Sequence, residues 1–122
     1  MRTRESEEMY LETIFLLKRK KTAVRSVDIV EELDYAKSSV SRGVNLLVKK
    51  GYITHDHATG DIEFTQTGRL KAEKIYERHS VLTTAFEKIG ADRNLAEENA
   101  CRVEHVISEE LFDLIKKFIN QG

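Results

Sequence analysis

The chain has 122 residues, 20 Lys+Arg against 21 Asp+Glu, a net charge of −1, 40 % hydrophobic and 34 % charged residues, no Pro, no Trp and one Cys. One cysteine excludes an intrachain disulfide framework. No apolar run approaches the roughly 18 residues of a membrane span, and MRTRESEEMY lacks the apolar core of a signal peptide, so a reducing, cytoplasmic setting without membrane contact is expected. Near-neutrality also argues against a protein that coats nucleic acid without selectivity, although the charge is uneven. Residues 1–75 carry 14 basic and 12 acidic side chains, and residues 76–122 carry 6 and 9.

In chain order, Ser6 with Glu7 and Glu8 reads as a helix start. Met9, Tyr10, Thr13, Ile14, Leu16 and Leu17 continue the helical spacing to about Lys20. A basic run follows, Lys18-Arg19-Lys20-Lys21, with Arg25 close behind. Ser26 caps a short second helix containing Val27, Ile29, Val30 and Leu33. Val40, Val44, Leu47 and Val48 form one face of a third, which Gly51 closes. Tyr52–His55 and Asp61–Phe64 are β-prone runs around a five-residue loop ending in Gly60. Thr65 or Thr67 caps a long fourth helix to about Lys88, ended by Gly90. Leu95–Val106 reads as a fifth helix, and Ser108 caps a sixth over Glu109–Ile119.

Helix, turn, helix and hairpin is the order of a winged helix-turn-helix. The third helix opens with Ala36, Lys37, Ser38, Ser39, Ser41, Arg42 and Asn45. Short hydroxyl side chains let a helix enter a major groove, and Arg42 can grip a guanine edge or a phosphate with two hydrogen bonds. Arg25 and the loop residue Thr59 are placed to lie along the DNA backbone. Serines at a helix start more often only cap it, so the whole order carries this reading rather than the serines. The predicted fold is mainly α, with a winged helix-turn-helix domain over residues 1–73 and an all-helical dimerisation and metal-binding domain over 74–122.

The fifth helix holds Glu97, Cys101, Glu104 and His105. At 100° per residue they fall at about 320°, 0°, 300° and 40°, one face. Thiolate, imidazole and carboxylate are ligands for a divalent transition metal. Met9 and Glu12 on the first helix and His79 on the fourth could join them. Spacing alone leaves open the plainer readings of a buried Cys, a surface Glu-His pair and a core Met.

Glu8-Met9-Tyr10-Leu11-Glu12-Thr13-Ile14 and Ala100-Cys101-Arg102-Val103-Glu104-His105-Val106-Ile107-Ser108 resemble the paired metal motifs of the diphtheria-toxin-repressor family of metal-dependent transcriptional repressors. Arg78-His79 and Val40-Ser41 match too, and the resemblance covers essentially the whole chain. It implies that Met9, Cys101, Glu104 and His105 correspond to the primary site of the iron-sensing branch, and His79 to an ancillary ligand. Thr83 stands where that branch has Glu, Glu97 where it has His, and the chain reaches Gly122 without the SH3-like domain of the longer members. Glu12 corresponds to a ligand of the manganese-sensing branch, where acidic residues replace Met9 and Cys101. The expected ligand set is therefore Met9, Glu12, His79, Glu97, Cys101, Glu104 and His105.

Sulfur ligands place Fe²⁺ first and Mn²⁺ second, with Co²⁺, Ni²⁺ or Zn²⁺ able to substitute in vitro. Ligand deprotonation predicts weaker binding at low pH. The expected function is a metal-switched repressor, not an enzyme, binding a palindromic DNA operator of metal-homeostasis genes as a homodimer. The apolar sixth helix (Leu111, Phe112, Leu114, Ile115, Phe118, Ile119) suits a dimer contact. A metalloenzyme, a purely structural dimer module, and a metal-independent regulator sensing a small ligand or Cys101 oxidation are the alternatives.

Overall fold

The computed structural model describes residues 3–121, with side chains from Ser6 onward. Six helices and one hairpin follow in chain order: α1 (Thr3–Lys20), α2 (Ser26–Leu33), α3 (Lys37–Lys49), β1 (Ile53–His55), β2 (Ile62–Phe64), α4 (Gln66–Lys88), α5 (Arg93–Val103) and α6 (Glu109–Asn120). The chain divides into two compact units, Met1–Glu73 and Lys74–Gly122.

In the first unit α1 packs on α2 and α3, α2 on α3, and α3 on β1. Apolar side chains at helical spacing drive this arrangement. Leu11, Ile14 and Leu17 of α1, Ile29 of α2, and Val40, Val44 and Leu47 of α3 are all buried. The turn between α2 and α3 opens with Asp34 in the left-handed region (φ 56°), its N–H donating 2.9 Å to the Val30 carbonyl. This bond closes α2 and redirects the chain into α3. Gly43 leaves room for the Tyr10 ring, since a Cβ there would lie 2.4 Å from it.

β1 and β2 pair antiparallel, Ile53 opposite Phe64 and His55 opposite Ile62. Ile53 and Ile62 face inward, as alternation requires. The hairpin loop closes at Gly60, φ 82°. Thr65 is the cap of α4, its Oγ1 accepting from the Gly68 N–H at 3.1 Å. Gly68 itself lies against Tyr52, where a Cβ would stand 1.8 Å from the carbonyl oxygen. The first turn of α4 is thereby locked to the α3–β1 junction.

In the second unit Leu82 of α4, Ala100 of α5, Phe112 of α6 and Ile107 from the turn between α5 and α6 form a core, flanked by Val81, Phe86, Val103 and Ile115. Ser108 caps α6, accepting from the Leu111 N–H. The expected helix to Val106 is corrected here. The α-helix ends at Val103, and the N–H groups of Val106 and Ile107 both turn back to the Val103 carbonyl at 3.0 Å. That tight turn buries Ile107 and leaves Val106 outside. A smaller correction is that α1 begins at Thr3, ahead of Ser6, and that Arg25 rather than Ser26 is the N-cap of α2.

Asp28 shows how one charge secures a helix start. It hydrogen-bonds Lys21, and its Oδ2 accepts from the Arg25 N–H at 2.9 Å. The Lys21 bond holds the carboxyl below its ordinary value, burial opposes this, and the Arg25 amide adds to it. A depressed folded-state pKa stabilises the fold above the ordinary carboxylate range, and this is lost as pH falls through the folded value. Asp28→Asn should therefore cost about 1 kcal/mol of unfolding free energy at pH 7. Urea melts should show the two proteins converging as pH drops below about 4, whereas a gap independent of pH would contradict the assignment.

Candidate metal centre and nucleic-acid interface

Glu104 follows the last residue of α5 and keeps helical backbone angles, its N–H donating to the Ala100 carbonyl at 2.9 Å. Its side chain has no solvent exposure. Oε2 lies 3.0 Å from Nδ1 of His79 on α4, and Oε1 lies 3.2 Å from Nε2 of His105. A fully buried carboxylate thus stands between two imidazoles.

α4 braces His79 at its ring and at its backbone. Tyr76, one turn earlier, stacks on its ring at 6.5 Å and 18°. Thr83, one turn later, donates its hydroxyl to the His79 carbonyl at 2.8 Å. The hydrogen bond to Glu104 raises the His79 pKa above the ordinary imidazole value, against burial, which lowers it; Glu104 and Glu97 add charge attraction.

The donor chemistry fits a divalent ion. Neutral imidazole nitrogens and a carboxylate are ligands of transition metals. Neighbouring donors around one ion with bonds of about 2.0–2.2 Å stand about 3 Å apart, and the 3.0 Å separation of Glu104 and His79 is of that size. In the second unit the structure brings His79, Glu104 and His105 together.

Two further expected ligands on α5 are placed less centrally within this unit. Glu97 is half exposed and its Oε1 accepts from Arg93 Nε at 2.7 Å, yet it acts on His79 through charge. Cys101 is exposed. In the first unit, Glu12 on α1 is 7 % exposed. The Met9 thioether accepts a hydrogen bond of 3.5 Å from the Tyr35 hydroxyl. Sequence reasoning missed Tyr35 and Tyr76, and took Thr83 only as a departure from the iron-sensing branch. Only Tyr76 and Thr83 carried a signal, through their i−3 and i+4 spacing from His79 on one helix.

In the first unit, α3 turns Val40, Gly43, Val44 and Leu47 inward. Ala36, Lys37, Ser38, Ser41, Arg42 and Asn45 are exposed. Ser39 is half buried, its carbonyl accepting from Tyr10 at 3.3 Å and its hydroxyl lying 3.5 Å from the Arg42 guanidinium. The result is a polar face over the first turns of an apolar-backed helix, with Val48 exposed near its end. In the hairpin loop, Asp56 Oδ1 accepts from the N–H groups of Thr59 and Ala58, which hold its carboxyl below the usual range. Thr59 is exposed at the tip and accepts from the Asp61 N–H at 3.2 Å. Arg25 is paired to Asp61 at 3.2 Å, tying the loop base to the start of α2. Of the basic run, Lys18 and Lys21 pair with Glu63 and Asp28, and Lys20 is exposed.

These features define a winged helix-turn-helix unit followed by a helical unit with a buried Glu-His cluster. Residues 2–60 match the family profile described as iron dependent repressor, N-terminal DNA binding domain. Residues 65–121 match iron dependent repressor, metal binding and dimerisation domain. An HTH-type transcriptional regulator of Methanocaldococcus jannaschii is 29 % identical over 119 residues, 96 % of this chain and 94 % of that protein. The HTH-type transcriptional regulator MntR of Lysinibacillus sphaericus is 30 % identical over 114 residues, 93 % of this chain and 81 % of that one. A solved manganese-dependent transcriptional repressor in complex with manganese has the same fold, with TM-score 0.84 and 21 % identity. The alignment covers 95 % of this chain and 53 % of that longer one. The chain belongs to the diphtheria-toxin-repressor family. It is accordingly a metal-dependent transcriptional regulator rather than an enzyme.

In metal-free protein, Glu104→Gln should lower the His79 pKa toward about 6.5, read from histidine ring shifts in a pH titration by NMR. The wild-type pair stabilises the fold below the ordinary imidazole value, and this is lost as pH rises through the raised folded value. An unchanged His79 titration would contradict the pairing.

Proposed function

We propose that this chain is a repressor switched by Fe²⁺ or Mn²⁺, held by His79, Glu104 and His105 with Glu12 and Met9 of α1, and that it binds palindromic operators of metal-homeostasis genes as a cytoplasmic homodimer. The observation that carries this reading is the unexposed Glu104 carboxylate between two imidazole nitrogens. A bound divalent ion would supply fixed positive charge there. His79 and His105 would face it as neutral rings, and Glu104 would neutralise part of its charge. Nitrogen and oxygen donors suit both metals; sulfur from Met9 and Cys101 would shift preference toward Fe²⁺. Glu97 would act at the rim.

Glu12 and Met9 make α1 the natural link to the DNA-reading unit, because α1 packs directly on α3. Ser38, Ser41, Arg42 and Asn45 would meet base edges, with Lys37, Ser39 and the backbone at Ala36 on phosphates, and Thr59 and Arg25 on the flanking strand. For dimerisation, Leu111, Leu114 and Phe118 lie three and four residues apart on α6 and are each at least half exposed. Such a stripe suits burial against a second copy. A two-fold pair of recognition helices then demands one half-site spacing, and the ordered population sets the affinity.

The test is equilibrium binding to a duplex enriched from a random library by the Mn²⁺- or Fe²⁺-loaded protein, under anaerobic conditions. Wild-type affinity should rise at least tenfold on adding metal, and Glu104→Ala should abolish that rise while leaving the fold intact. Binding indifferent to chelator but sensitive to peroxide would overturn the reading in favour of a metal-independent regulator.

A further inference from the structure

Glu7 lies on α1, inside the helix rather than at its start. It is 5 % exposed, and two lysines from different elements converge on it. Lys50 Nζ hydrogen-bonds Oε1, and Lys71 Nζ lies 3.2 Å from Oε2. Lys50 is the C-cap of α3, its N–H donating to the Leu46 carbonyl at 3.0 Å, so it marks the end of the recognition helix. Lys71 sits in the first turns of α4. There it also donates to the Tyr52 hydroxyl at 3.3 Å and lies over that ring at 5.0 Å. One buried carboxylate therefore holds α1, the end of α3 and the start of α4 in a single junction within the first unit.

The placement along the chain gives this junction a consequence. Glu7 is two residues from Met9 and five from Glu12 on α1, and Lys71 is eight residues before His79 on α4. Apolar contacts between helices tolerate sliding, whereas paired charge-assisted hydrogen bonds fix a register. A buried carboxylate deprived of its cations is strongly disfavoured, so the three elements keep this arrangement together.

We propose that Glu7 is a positioning residue that couples the metal site to the recognition helix, through its ion pairs with Lys50 and Lys71. The proposal rests on Met9 and Glu12 being metal ligands. Constraint placed on α1 and α4 then reaches the end of α3 through charged contacts, and the coupling is reciprocal between metal and DNA.

The test is a thermodynamic cycle with Mn²⁺ and the library-enriched duplex, on wild type, Glu7→Gln, Glu7→Asp and Lys50→Met. For Glu7→Gln and Lys50→Met, Mn²⁺ affinity without DNA and DNA affinity without Mn²⁺ should stay within about twofold of wild type. The gain in DNA affinity on adding Mn²⁺ should fall at least tenfold, with Glu7→Asp recovering part of it. An undiminished gain in folded variants overturns the proposal, as does an equal loss of DNA affinity with and without Mn²⁺. If Glu7→Gln does not fold, Lys50→Met and Lys71→Met decide by the same criteria. Met9→Ala and Glu12→Ala separate the two ideas: Mn²⁺ affinity unchanged in both removes the ligand reading, whatever Glu7 does.

Discussion

A carboxylate placed where water cannot reach must find compensating charge or hydrogen bonds, because the desolvation of an unpaired ion costs several kcal/mol. Glu104 meets this constraint at one oxygen through His79 at 3.0 Å, and its other oxygen stands 3.2 Å from the His105 ring. The apolar core supplies the rigidity that keeps the three together. Ala100 precedes Glu104 by one helical turn, and Ile107 follows it into the cluster with Leu82 and Phe112. The hydrogen bond with Glu104 favours the protonated form of His79 and raises its pKa. A divalent cation can bring the same charge without protonating either ring, so proton and metal compete for one location.

The DNA-reading unit depends on a different economy of charge. Its net balance is only mildly basic, and many of its cations are already engaged. Lys18, Lys21, Arg25, Lys50 and Lys71 all hold carboxylates of the same unit. What remains outward on α3 is a short polar row with Arg42 as its most versatile donor. A surface of that kind favours selective contact over bulk phosphate attraction. It also makes affinity responsive to how the recognition helices are held, which is what a switched regulator requires.

Much of the architecture was legible because it follows local rules. The caps at Thr65 and Ser108, the two strands and the inward face of α3 each have a physical signature a few residues long. The end of α5 did not, since neither Gly nor Pro marks it. The helix closes because Ile107 is needed in the core, a tertiary demand invisible in the local sequence. The site was legible in part. Helical spacing put Glu104, His105 and Cys101 on one face, but it could not say that Glu104 lies on the buried side of that face while Cys101 lies on the exposed one. The Glu7 junction was beyond reach, because its partners are 43 and 64 residues away in the chain. The spacing of Tyr76 from His79 could have been read, and its stacked ring is the kind of second layer that orients a ligand.

Metal held at the Glu104 cluster is the central proposal. X-ray absorption at the metal edge of the Fe²⁺- or Mn²⁺-loaded protein addresses this directly. The predicted spectrum has an oxygen and nitrogen first shell with outer scattering from two imidazole rings, reduced to one ring in either His79→Ala or His105→Ala. A shell without imidazole scattering, or one unaltered by both substitutions, would contradict it.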